Sequence, residues 1–173
     1  MLRAGISKPQ TRAILQEAAR ALRGSGSSQV GGQVGVDVLH LYTDGASRGN
    51  PGQAGAGVVI MNGVGEVVKR TGKYLGVTTN NVAEYEALIL GLENASEMGG
   101  RTIAIFADSE LMVKQVKGEY RVKNSGLVPL YRRVCTLLRG FEKYDITHIV
   151  RSKNGEADEL ANMAIDKASA RHR

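Results

Sequence analysis

The chain has no tryptophan, one cysteine, three prolines and two phenylalanines among 173 residues. A single thiol cannot close an internal disulfide, which excludes a disulfide-stapled scaffold and points to a reducing compartment, the cytoplasm. Cys135 lies in a helical pattern and reads as a small core residue rather than a nucleophile. No apolar run approaches the roughly 20 residues needed to cross a bilayer, so no membrane is expected as a partner. Nucleotide-binding loops are missing too. Residues 52–59 are glycine-rich but lack the G-x-G-x-x-G spacing, and 65–74 place Tyr74 where a P-loop requires Ser or Thr. His40 and His148 fall within strand patterns and form no metal-ligand cluster, and nothing resembles a Ser-His-Asp assembly.

What is present is enough for one ordinary domain and a tail. Hydrophobic residues make up 42% and charged residues 23%, a globular composition with a buried core. The net charge of +6 points to a polyanionic partner. Residues 1–36 hold five Lys/Arg and one acid, a net +4, leaving 18 basic against 16 acidic residues for 37–173. Another basic segment, 114–139, carries Lys114, Lys117, Arg121, Lys123, Arg132, Arg133 and Arg139 against Glu119 alone. Residues 7–24 form a short amphipathic pattern with Ile14, Leu15, Ala18, Ala19 and Leu22 on one face, followed by a Gly/Ser linker over 24–35. The expected organisation is therefore a basic extension over 1–35 and a folded domain over 36–173. The acid-poor start also fits an organellar transit peptide, although a basic partner-binding tail explains the same composition.

From residue 36 the periodicity predicts strands over 36–43, 56–61, 67–75, 102–107 and 145–150, with a Gly/Pro-rich turn over 44–55. Helices are predicted over 80–98, 109–118, 127–141 and 155–170. Three strands joined by tight turns, then alternating helices and strands, imply an α/β fold. Its five-stranded mixed sheet would have the first three strands antiparallel, later strands parallel, and helices on its faces. The fourth strand would lie beside the first.

Asp44 and Asp108 each stand where an apolar strand pattern stops. Either acid alone reads as a turn residue or a helix cap. Side by side, at the carboxyl ends of neighbouring strands, they repel each other unless a cation lies between them. Glu84 fits a capping box with Asn81, yet helical spacing puts it on the face of Leu88, Gly91 and Ala95, where a lone charge is costly. Glu86, Glu93 and Glu97 share a solvated face instead. Asp158, in the first turn of the last helix, is favoured there by the helix dipole, and a parallel fifth strand would bring it to the same end of the sheet. Four carboxylates then converge. Oxygen-only ligands select Mg²⁺ or Mn²⁺, and two such ions about 3.5–4 Å apart suit phosphoryl transfer.

In residues 37–168 the chain resembles the type 1 ribonuclease H family. The blocks "YTDGASRGNPGQAGAG", "TTNNVAEYEAL", "FADSELMVKQV" and "NGEADELANMA" follow that family's order. The resemblance implies a ribonuclease H-like fold and hydrolysis of the RNA strand of an RNA–DNA hybrid with two Mg²⁺ or Mn²⁺ ions. It places the metal-binding acids on Asp44, Glu84, Asp108 and Asp158. It also implies hybrid contacts at Asn50, Thr79, Asn80 and Asn81, with Gly45 and Ser109 beside them, where short polar groups reach the 2′-hydroxyls that mark RNA. A turn residue at Asn50 and a helix cap at Asn81 explain the same positions without a substrate. The chain departs from the family's long forms in lacking a Trp-bearing basic protrusion, in having Glu110 after "DS", and in having no histidine in a shortened last loop. That loop has Arg151, seven residues before Asp158, which is expected to join the catalytic set. The expected protein is a monomeric hybrid endoribonuclease leaving 5′-phosphate and 3′-hydroxyl ends. The alternatives are a related nuclease for double-stranded RNA or branched DNA, and a non-catalytic hybrid-binding module.

Overall fold

Alternation in the first strand sets the layers. Leu39 and Leu41 are fully buried on one face of the sheet, and β-structure sends the residues between them to the other. The computed structural model describes residues 37–171. The expected basic extension over 1–35, with its helix and linker, lies outside the described residues. Strands β1 (Val38–Gly49), β2 (Gly52–Asn62) and β3 (Val67–Thr78) form an antiparallel meander. Helix α1 (Asn80–Glu97) then crosses to β4 (Thr102–Ala107), which lies parallel to β1. Helices α2 (Glu110–Val116) and α3 (Val128–Leu138) lead to β5 (Lys143–His148), parallel to β4. A short 3₁₀ turn (Arg151–Lys153) precedes α4 (Gly155–Arg171). The sheet order is β3-β2-β1-β4-β5, the mixed five-stranded α/β arrangement expected.

On one face, α1 and α3 enclose a core that includes Leu41, Ile60, Leu88, Leu92, Ile105 and Val134. The other face of β1, β2 and β3 carries α4, which buries Ala157, Ala161 and Ile165.

The expected long turn over 44–55 is mostly strand. β1 runs on through Asp44 to Gly49 and β2 begins at Gly52, leaving Asn50 and a cis Pro51 as the turn. The pairs Gly45–Ala56, Ala46–Gly55 and Ser47–Ala54 show why composition misleads here. These strands are built from small residues because helices press on them. A Cβ at Gly45 would lie 2.2 Å from the Ala83 carbonyl carbon of α1, and one at Gly57 would lie 1.9 Å from the Ala157 oxygen of α4.

Other details differ as well. The cap of α1 is Thr79, whose hydroxyl accepts from the Val82 N–H, so Asn81 is inside the helix and does not cap it. β5 begins and ends two residues earlier than expected, because its first residues continue the ladder with Thr102 and Ile103. The third helix stops at Leu138, short of 141. Ser109, and not Asp108, caps α2, accepting from the Met112 N–H. Glu84, Leu88, Gly91 and Ala95 are all buried, the face their spacing indicated.

Candidate active site

The parallel β1–β4 ladder ends at Thr43 opposite Ala107, so the next residues of the two strands are Asp44 and Asp108. Helix α1 crosses above them and lowers Glu84 onto the same spot, because Gly45 lets its backbone approach. The Gly45 N–H donates to Glu84 Oε2 at 3.2 Å and fixes that carboxylate. Ligand oxygens of Asp44, Glu84 and Asp108 all lie within 4.8 Å of one another. Asp44 is 4% and Glu84 5% exposed.

Three carboxylates this close, two of them buried, resist being ionised together. Burial first, then the charges of Glu84 and Asp108, push Asp44 from 3.8 up to about 9. Burial and the Asp108 charge push Glu84 from 4.5 up to about 8, opposed by the Gly45 hydrogen bond and by Arg151. A site that holds carboxylates at such cost fits a cation. An oxygen-only donor set fits a hard divalent one.

Asp158 stands apart from this trio. Its Oδ1 accepts from Arg151 Nη2 at 2.6 Å, so the acid expected as a fourth ligand is occupied by the arginine expected as a catalytic partner. The pair still belongs to the same electrostatic unit. Asp158 raises both Asp44 and Glu84, and Asp158, then Asp44, raise Arg151 above its usual value.

A cleft of about 410 Å³ opens over these groups, lined by Asp44, Gly45, Glu84, Asp108, Ser109 and Arg151 together with Ala46, Ser47, Asn80 and Asn162. Asn50, Thr79 and Asn81 lie outside that lining. Asn50 Oδ1 accepts from the Asn80 N–H at 3.2 Å, tying the β1–β2 turn to the start of α1, where Asn80 and Asn81 are exposed. Asn162 and Ser47 went unnoticed in the sequence. Asn162 could have been found from its i+4 spacing to Asp158, whose carbonyl accepts from its Nδ2 at 3.0 Å. Ser47 was hidden in the segment misread as a turn.

The family model described as "Reverse transcriptase-like" matches residues 42–164. The crystal structure of RNase H1 from the halophilic archaeon Halobacterium salinarum superposes with a TM-score of 0.74 at 44% identity, covering 75% of this chain and 98% of that one. The chain belongs to the type 1 ribonuclease H family. The N-terminal RNase H domain of a Mycobacterium tuberculosis protein gives a TM-score of 0.75 at 37% identity, over 79% of this chain and 99% of that one. A further ribonuclease H of the family, LC11-RNase H1, is solved in complex with an RNA/DNA hybrid. It matches with a TM-score of 0.72 at 43% identity, over 75% of this chain and 98% of that one. Among curated sequences, Ribonuclease HI of Halobacterium salinarum is 45% identical over 130 residues. The chain spans 65% of the length of that relative, and 36% of a Mycobacterium tuberculosis bifunctional protein it also matches at 41% identity. No described helix is long and apolar enough to cross a membrane.

Proposed function

We propose that the protein is an endoribonuclease that hydrolyses the RNA strand of RNA–DNA hybrids, leaving 5′-phosphate and 3′-hydroxyl ends. The observation that carries this reading is the meeting of Asp44, Glu84 and Asp108 within 4.8 Å at the floor of an open cleft. The likeness to a ribonuclease H solved on an RNA/DNA hybrid supports the choice of substrate.

Asp44, Glu84 and Asp108, with Asp158 beside them, would hold two Mg²⁺ or Mn²⁺ ions. Such ions would supply Lewis-acid stabilisation of the reacting phosphate and would acidify a water near neutral pH. The protein's own part is positional and electrostatic. Gly45 holds the Glu84 carboxylate in one rotamer through its N–H, so the trio need not reorganise when the substrate arrives. Arg151 is 75% exposed at the cleft wall and can exchange Asp158 for a phosphate oxygen, presenting its planar fork to the charge that grows during attack. It cannot move a proton near neutral pH, because a guanidinium keeps its proton there and the hydrogen bond to Asp158 raises its pKa further. Asn80 and Asn81, exposed at the start of α1, present amides to the 2′-hydroxyls of the RNA strand. Lys117, Arg121 and Lys123 are exposed in the α2–α3 connection and meet backbone phosphates in place of the missing protrusion. Arg133 and Lys114 of the same segment are engaged by Glu93 and Glu110. A monomer suffices for this reading because every group named here lies in one chain, and the single cysteine suits the reducing cytoplasm.

A fluorescent hybrid-cleavage assay beside duplex DNA and duplex RNA, with and without EDTA, tests the proposal. Cleavage of the hybrid alone, stopped by EDTA, is the expected result. Equal cleavage of duplex RNA would shift the reading to a double-strand ribonuclease, and hybrid binding without any cleavage would make the protein a binding module.

A further inference from the structure

Asn154 separates the turn that carries Arg151 from the helix that carries Asp158, and it is 2% exposed. An amide at that depth is costly unless it is hydrogen-bonded. An asparagine just ahead of a helix ordinarily caps it, its side-chain oxygen accepting from the first N–H groups. Here that oxygen is buried without a partner, and Nδ2 donates instead to the Thr43 carbonyl at 2.9 Å, 111 residues away in the chain. Thr43 directly precedes Asp44 and is the last β1 residue in register with β4.

The backbone of Asn154 is engaged on both sides. Its N–H donates to the Arg151 carbonyl at 2.9 Å and its C=O accepts from the Asp158 N–H at 3.1 Å. Asp158 has a second anchor, since α4 docks through Ala157 and Ala161 onto Gly57 and Gly55 of β2. The Arg151–Lys153 turn buries none of its residues. The turn is held at its start by the Ile149 N–H bond to the Ala107 carbonyl at 2.9 Å, and at its end by Asn154, the one buried side chain next to it in sequence on that side.

We propose that Asn154 is a positioning residue. Through its bond to the Thr43 carbonyl it pins the Arg151–Lys153 turn to the strand end bearing Asp44, and so aims Arg151 into the cleft. The proposal rests on the hybrid-nuclease reading and deepens it. It also accounts for an asparagine whose oxygen is left without a partner, because the geometry that reaches Thr43 gives up the helix cap.

A double-mutant cycle tests it, with kcat and KM on hybrid measured for wild type, Asn154→Ala, Arg151→Ala and the double variant. Asn154→Ala should lower kcat roughly 10-fold, the scale of a misaimed group, with KM little changed. In the Arg151→Ala background the same change should cost less than about 2-fold, the margin within which independent sites add. An equal factor in both backgrounds, or an unchanged kcat, would overturn the proposal. Should Asn154→Ala fail to fold, Asn154→Leu keeps the branching at Cγ without the donor and is read in the same cycle. Amide exchange gives a readout independent of turnover. The Lys153 and Asn154 N–H groups should exchange faster in the variant while those of α4 around Ala161 are unaltered. Equal loosening of both would show a general stabilising role and overturn the assignment. A wild-type protein that leaves hybrid intact would reject the nuclease reading, whereas the exchange experiment would still decide whether Asn154 holds the turn.

Discussion

The two buried acids of the cleft make the site's cation measurable in its absence. Asp44 and Glu84 have folded-state values near 9 and 8, well above those of the unfolded chain, so the folded protein holds protons that the unfolded one has released. Stability then falls as pH rises from about 4 through 8–9. Calorimetry in EDTA should show a melting temperature lower at pH 8 than at pH 5, with Mg²⁺ or Mn²⁺ restoring much of the loss at pH 8. Asp44→Asn should flatten that slope and abolish cleavage. A variant that retains the wild-type slope would mean that burial of this acid is not what the cation relieves. Arg151 offers a second test at this scale. Its pair with Asp158 is largely exposed and worth at most about 1 kcal/mol, so Arg151→Ala should barely alter melting. If the arginine opposes charge on the reacting phosphate, kcat should fall by roughly 10- to 1000-fold, and Arg151→Lys should recover part of it because a point charge lacks the fork. Unaltered turnover at saturating hybrid would leave the carboxylates as the whole apparatus. Glu84 was legible because helical spacing separates it from Glu86, Glu93 and Glu97. The Arg151–Asp158 bond was not, since a spacing of seven residues across a turn and a helix start fixes no distance.

Among elements, helices and core strands followed from periodicity, while the β1–β2 hairpin did not. Its Gly, Ala and Ser residues carry almost no hydrophobic signal, and what makes them strand is the helix packed on each side. Gly57 shows how tight that packing is. A Cβ there would meet the Ala157 oxygen at 1.9 Å and the Ala161 nitrogen at 2.7 Å, all of it helix backbone that cannot rotate aside. Gly57→Ala should therefore lift the start of α4 and cost about 1–3 kcal/mol or more by overpacking. Asp158 follows Ala157 directly, so activity should drop even well below the melting temperature. Gly155→Ala is the control, because a Cβ there meets nothing within 4 Å and should change stability by no more than about 0.5 kcal/mol. Thermal melts of the two variants side by side would settle it, and equal melting temperatures would refute the close-approach account of these glycines.

At the scale of the molecule, the strand order was readable because a helix crossover after a hairpin leaves the fourth strand one natural place, parallel to the first. That single pairing, Thr43 to Ala107, is what brings Asp44 beside Asp108. Among the described residues, 37–171, the five-stranded sheet, both helix layers and the cleft are all present. The first 36 residues nonetheless bring a net charge of +4, against +2 for the remainder. A polyanionic duplex feels that charge over a Debye length, about 8 Å at physiological salt, and each phosphate contact releases counterions. A protein beginning at residue 36 should thus melt within a few degrees of the full chain and cleave hybrid with a similar kcat. Its binding should be weaker at moderate salt, and the plot of log affinity against log salt should be shallower by about 0.9 for each phosphate contact removed. Identical slopes would show that the basic start does not touch the substrate. A much earlier melt would show that it contributes to the fold, and would move the domain boundary toward the N-terminus.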